Sequence, residues 1–204
     1  MIPPKPVDDN STERPEPRAE LTAQAAPLPP DEAERLAALQ QTSVLDTPFE
    51  SVYDDLTHLA ATLCEVPIAL ISLVDESRQW FKSSIGLRAS ETPREQAFCA
   101  HAILSPDDLM EVPDASQDPR FAGNPLVTGS PHIRFYAGSP ILSEEGLPLG
   151  TLCVIDRQPR QLTPMQQASL RALARVTSEL LRLRRQALHH IGQTLESLRT
   201  ESFR

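Results

Sequence analysis

A cysteine and a histidine two residues apart, Cys99 and His101 in the segment FCAHAI, are the side chains of this sequence best suited to chemistry. A thiol in the first turns of a helix ionises more readily than a free one, because the helix N-terminus favours negative charge, and the thiolate is the reactive form. His101 is poorly placed to assist it. On a helix a two-residue step turns the side chain by about 200°, so the pair faces nearly opposite sides and a joint metal or catalytic site does not follow. Read without chemistry, Cys99 is a small buried hydrophobe lining a core or pocket, and His101 is a hydrogen-bonded packing histidine. With Cys64 and Cys153 the thiols number three, scattered and without a CxxC pair, which suits neither a disulfide framework nor a zinc site.

A second constellation lies in HIRFYAGSPI. Alternate side chains of a strand share a face, so His132, Arg134, Tyr136 and Gly138 oppose Ile133, Phe135, Ala137 and Ser139. The first set mixes polar and aromatic groups as a small-ligand site does, and the planar fork of Arg134 suits a carboxylate or phosphate. Arg120 and Phe121, in the preceding loop, are placed to close such a site. The competing reading is a solvent-facing sheet surface carrying Arg134 and His132. Trp80 and Phe81 either line the same cavity or pack in the core.

The elements that must carry these groups follow from periodicity. DEAERLAALQQ predicts a helix over 32–41 capped by Asp31, and Pro48 opens a second over 48–64, in which Phe49, Val52, Tyr53, Leu56, Leu59, Ala60 and Leu63 recur at three- and four-residue steps. PIALISLVD (67–75) is apolar on both alternating faces, as a central strand is, and QWFKSSIG (79–86) forms a hairpin with it. EQAFCAHAIL reads as a short helix, LMEVPDA as a short strand, and DPRFAGNPLVTGSPH as a turn-rich segment. IRFYAGSPIL and LGTLCVID form the clearest hairpin, so the sheet is antiparallel. From Thr163 and Pro164 the pattern stays helical to about residue 200, roughly 55 Å, longer than one small domain covers. Leu181, Leu188, Ile191, Leu195 and Leu198 fall on a and d positions of one heptad register, interrupted by Arg184 and weakened by Gly192.

Composition narrows the partners. A formal charge of −9 argues against a nucleic-acid footprint, no run of about 18 apolar residues exists to span a membrane, and the N-terminus lacks a signal-peptide layout, so a cytoplasmic location is expected. Residues 1–30, rich in proline and charge, are expected to be a disordered tail.

PIALISLVD, FCAHAI, DASQDPRFAGNPLVTGSPHIRFYAGSPI and LGTLCVIDRQPRQL together resemble the GAF domain family, the small-molecule-sensing module of bacterial signalling proteins. The resemblance implies an α/β (α+β) fold over residues 31–187, with an antiparallel sheet of five or six strands, helices on one face and a ligand pocket on the other. Residues 188–204 then extend the last helix towards a homodimer. It further implies a binding and signalling role without catalysis, in a two-component or cyclic di-GMP context, with Cys99, His101, Arg120, Phe121, His132, Arg134 and Tyr136 as candidate ligand contacts and the ligand or cofactor unidentified. Such helices feed a kinase or cyclase, so the signal is expected to leave through another chain. One branch of the family reduces free methionine sulfoxide with a cysteine near the position of Cys99, but no second thiol lies in HIRFYAGSPI, and Cys64 or Cys153 would have to approach from within regular structure. Another branch attaches a bilin to a cysteine followed directly by histidine, whereas Ala100 separates Cys99 from His101. The cyclic-nucleotide signature is absent. Haem or iron held by Cys99 or His101, and a dimerising adaptor with an empty pocket, complete the alternatives.

Overall fold

A computed structural model of the chain describes residues 23–201. Residues 23–30, which composition assigns to the tail, run without regular structure but in contact with the domain: the Gln24 N–H donates to the Arg120 carbonyl (3.3 Å), and Ala26 packs among buried apolar residues. Residues 1–22 of the expected tail lie outside the described residues.

Seven consecutive residues of β1 (Ile68–Val74) are buried, because both its faces are covered. Ala69, Ile71 and Leu73 point into one apolar cluster and Ile68, Leu70 and Val74 into another. The other central strand, β6 (Pro148–Asp156), is buried along all nine residues, with Leu152 and Val154 on the first side and Cys153 and Ile155 on the second. Around this pair the hairpin partners β2 (Arg78–Ile85) and β5 (Phe135–Leu142) complete an antiparallel sheet, edged by β3 (Glu91–Pro93) and β4 (Met110–Val112), in the order β3-β2-β1-β6-β5-β4. Each strand thus sorts its side chains between two layers simply by the period of the pleat.

The first layer holds three helices: α1 (Glu32–Gln41), α2 (Ser51–Cys64) and α5 (Pro164–Glu201). The last begins as its sequence predicts. Thr163 Oγ1 accepts from the Gln166 N–H (3.2 Å) while Gln166 Oε1 accepts from the Thr163 N–H (3.0 Å), a reciprocal capping box ahead of Pro164. Asp31 stands before α1, but its side chain makes no capping bond. α2 starts three residues later than expected, because the stretch before it wraps a buried cation: the Pro48 carbonyl accepts from Lys82 Nζ (2.7 Å), as does Thr47 Oγ1 (2.9 Å). Leu181, expected in a pairing seam, is instead 1% exposed in the domain's own core. The seam beyond it, Leu188, Ile191 and Leu195, is exposed.

On the opposite layer the expected helix over EQAFCAHAIL is divided. A 3-10 turn, Arg94–Gln96, precedes α3 (Phe98–Ala102), which lies against β1, β5 and β6. The turn-rich segment that follows contains one short helix, α4 (Pro125–Thr128), capped by Asn124 through the Leu126 N–H (2.9 Å). Asn124 Nδ2 also donates to the Gln96 carbonyl (3.0 Å), so a single side chain fastens α4 to the turn ahead of α3.

Candidate functional site

Between this second layer and the sheet lies a cavity of about 420 Å³, within the range of small-molecule sites. Its walls are apolar: Ile68 and Leu70 from β1, Phe81 from β2, Ile155 from β6, Phe98 from α3 and Leu126 from α4. Two exposed arginines, Arg88 and Arg157, also line it. Gln79 contributes a buried amide whose Oε1 has no hydrogen-bond partner among the described residues. Buried acceptors are rarely left so. The site therefore offers an apolar slot, one waiting acceptor and two cations.

Two thiols face this cavity. Cys99 from α3 and Cys153 from β6 both line it, and their Sγ atoms are 3.9 Å apart. The Thr151 hydroxyl donates to Cys99 Sγ at 3.0 Å and the Tyr136 hydroxyl at 3.4 Å, with the two hydroxyls 3.4 Å from each other. Burial pushes the Cys99 thiol up, but hydrogen bonds from Cys153, Thr151 and Tyr136 stabilise its thiolate and leave it lowered to about 7. Those hydrogen bonds are the causes that lower it. Cys153 is pushed up, first by its hydrogen bond to Cys99 and then by burial. Tyr136 is likewise raised, by burial and then by the charge on Cys99. One of the pair is thus set to ionise while the other holds its proton. Cys64 lies in the helix-side core, where burial raises it to about 11.

Tyr136 reaches Cys99 because the residue two places on is glycine: a Cβ at Gly138 would stand 2.2 Å from the Tyr136 hydroxyl oxygen. The ring is held from its other side by Phe98, whose centroid is 5.2 Å away, and Phe98 in turn stacks on Phe121 at 4.0 Å.

Of the seven residues expected at the ligand site, Cys99 and Tyr136 line the cavity and five do not. Phe121 is buried behind Phe98. His101 turns away from Cys99, as helical spacing requires, sets its ring edge-on to Phe121 at 4.8 Å and places Nε2 3.0 Å from the Gln24 carbonyl; burial lowers its pKa. Arg120 lies over the Phe121 ring and is clamped by Asp118, with Nη2 to Oδ2 at 2.6 Å. Arg134 donates from Nη1 to the carbonyls of Val127 and Ile133, both at 3.0 Å, so it ties the loop together. His132 is exposed in a left-handed turn, φ 63°. The alternation fails here because β5 starts at Phe135; ahead of it the chain is not pleated, and Ile133 rather than Arg134 faces the cavity. Of the two aromatics left open, Phe81 lines the cavity and Trp80 packs in the helix-side core. The groups not foreseen are Gln79, Arg88, Arg157, Thr151 and Cys153. Cys153 and Thr151 share a face of β6 opposite Leu152, a signal present in the alternation itself.

Comparison with known proteins agrees with this architecture. Residues 48–181 match the GAF domain family. The chain is 50% identical over 134 residues to a cyclic di-GMP phosphodiesterase of Pseudomonas aeruginosa, an alignment covering 66% of this chain and 23% of that protein, so the chain spans about a quarter of this relative's length. Among solved structures it is similar to free methionine-R-sulfoxide reductase from Neisseria meningitidis in complex with its substrate (TM-score 0.56, 18% identity, 81% of this chain and 98% of that one). It is also similar to the GAF domain of an Acinetobacter phosphoenolpyruvate-protein phosphotransferase (TM-score 0.53, 17% identity, 78% and 98%). At such identities the structural likeness establishes the fold. With the match extending over the whole sheet, α2 and the start of α5, the chain belongs to the GAF domain family.

Proposed function

We propose that this chain is a regulatory module that binds a small organic ligand in the sheet-side cavity and passes its occupancy to a signalling partner through α5. The observation that carries the reading is the cavity itself, apolar-walled, with the unpartnered Gln79 Oε1 inside it and Arg88 and Arg157 on its lining. A ligand matched to it has an apolar body, a hydrogen-bond donor for Gln79 and an anionic group for the arginines. The relative named as a cyclic di-GMP phosphodiesterase supports an output in cyclic di-GMP signalling.

The output route is the long helix. α5 packs on β5 and β6 at its start, while Leu188, Ile191 and Leu195 lie exposed towards its end. A second copy of the chain pairing along these residues would bury them, as a heptad seam does, and a kinase, cyclase or phosphodiesterase domain reading the pair would sense a shift in α5.

The test is a native mass spectrum of protein purified without denaturation. Wild-type protein is expected to carry an added small mass, and Leu70→Trp, which fills the cavity, is expected to lose it with an unchanged circular dichroism spectrum. A bare wild-type protein that also shows no thermal shift across a panel of small aromatic and aliphatic acids would overturn the reading.

A further inference from the structure

We propose that Cys99 and Cys153 form a dithiol site that reduces an organic hydroperoxide admitted to the cavity and is itself closed to a disulfide. The inference uses the cavity of the proposed ligand site but does not require a resident ligand there.

Three features of the geometry converge. Both sulfurs line the same cavity and stand 3.9 Å apart, against about 2.05 Å in a disulfide, so closing the bond takes an approach of about 2 Å. The strand partner is fixed: Cys153 lies mid-strand in β6, paired with Leu70 on one side and Gly138 on the other. Its counterpart rides on α3, a helix of five residues between a 3-10 turn and a loop, so α3 is the element that would move. The thiols are also differentiated. Two hydroxyls, Thr151 and Tyr136, are aimed at Cys99 Sγ, where they stabilise the charged form of the attacking sulfur and leave Cys153 as the protonated partner. The walls set the substrate class: Phe81, Phe98, Leu70 and Ile155 accept an alkyl or aryl body better than they accept water.

The reaction balances within this pair. Cys99 thiolate attacks the terminal oxygen of the hydroperoxide; the O–O bond breaks and the alkoxide leaves as the alcohol, taking the proton that Cys99 lost on ionising. Cys99 is now a sulfenic acid. Cys153 attacks its sulfur, the S–S bond forms, the S–O bond breaks, and hydroxide leaves with the Cys153 proton as water. Two thiols lose two electrons in total and the O–O bond gains them. A small-molecule thiol returns the disulfide to the starting state. Closure draws α3 towards the sheet and narrows the cavity floor.

The test treats the reduced, full-length chain with cumene hydroperoxide, alkylates the remaining thiols and maps the peptides. The expected product is an intramolecular Cys99–Cys153 disulfide with Cys64 alkylated, formed several-fold faster than with hydrogen peroxide at equal concentration. Cys153→Ala is expected to stop at a dimedone-reactive sulfenic acid on Cys99. Three alkylated thiols, or oxidation of Cys64 at the same rate, would sink the dithiol assignment, and equal rates with the two peroxides would sink the substrate class. Should the variant not fold, mapping of the wild-type chain decides alone. A peroxide-reactive protein that is bare and shows no thermal shift with the acid panel would remove the ligand reading and keep this one; a ligand-carrying, unreactive protein would do the reverse.

Discussion

The ammonium of Lys82 and the carboxylate of Glu50 meet at 2.7 Å, and the same Glu50 oxygen receives Arg184 Nη1 at 2.8 Å. Lys82 lies on β2 and is 1% exposed, Glu50 stands immediately ahead of α2, and Arg184 belongs to α5. One carboxylate therefore joins the sheet to the helix that leaves the domain, and the hydrogen bond from Lys82 holds it below the ordinary carboxylate range.

Removing that carboxylate leaves a buried ammonium with two neutral oxygens, those of Thr47 and Pro48, and the face of the Tyr53 ring 5.2 Å away. Glu50→Ala is expected to lower the unfolding free energy by about 1–3 kcal/mol, whereas Lys82→Met, which removes the charge and keeps the bulk, is expected to cost less. Urea denaturation of the two variants gives the comparison, and the reverse order would mean that the pair does not hold the folded state together.

Gly138→Ala forces the Tyr136 hydroxyl from its place beside Cys99, since the added methyl would overlap it. The overpacking should cost about 1–3 kcal/mol. A wild-type melting midpoint would show that the Tyr136 ring does not lie over Gly138.

The Cys99 thiolate should depend on Thr151. Thr151→Val keeps the shape and removes the closer of the two hydroxyl donors, so the thiol must rise from about 7. Because the reactive form is the one present above the pKa, the midpoint of the alkylation rate against pH is expected to move upward, with Cys64 as an internal reference. A midpoint that stays put would assign the stabilisation to Cys153 and Tyr136.

Acid should weaken the fold through Glu32. Burial pushes its carboxyl up, but hydrogen bonds from Arg35 and Arg94 carry it from 4.5 down to about 2. A carboxylate lowered in the folded state stabilises it fully above the unfolded pKa and loses that contribution as pH falls through the folded one. Stability measured by urea is therefore expected to decline between about pH 4.5 and 2, and Glu32→Gln should be less stable at neutral pH with a shallower acid decline. Parallel curves for the two proteins would exclude Glu32 as a cause.

Pairing through α5 should fail when its outer leucines are charged. Leu188→Asp combined with Leu195→Asp is expected to convert a dimer to a folded monomer by light scattering, because both side chains are exposed and outside the core. An unchanged mass would move the contact elsewhere, for instance to the exposed Val52, Leu59 and Leu63 of α2.

What could be read in the residues followed the strength of local patterning. β1 and β6 announce themselves because both alternating faces are apolar, and α5 because Thr163 and Pro164 open a long helical period. β3 and α4 are three and four residues long, too short to show a period. The site was harder, because cavity lining is decided by tertiary placement. Arg134 is a ligand fork only on a strand that begins before it, and a start at Phe135 makes it a loop tie. Cys153 was legible as a strand residue but not as the neighbour of Cys99, which needs α3 laid across β6. Lys82 in a strand reads as an edge or solvent residue, yet three oxygens on the segment before α2 bury it.

In β1 the even-numbered Ile68, Leu70 and Val74 belong to the cavity layer and the odd-numbered Ala69, Ile71 and Leu73 to the helix layer. Two vocabularies are interleaved along one strand, one addressed to the cavity and one to helices α1, α2 and α5. Point substitutions can rewrite the first without disturbing the second, so the lining of the cavity can change while the packing of the helices is kept. Insertion of a single residue would transpose the two texts and spoil both.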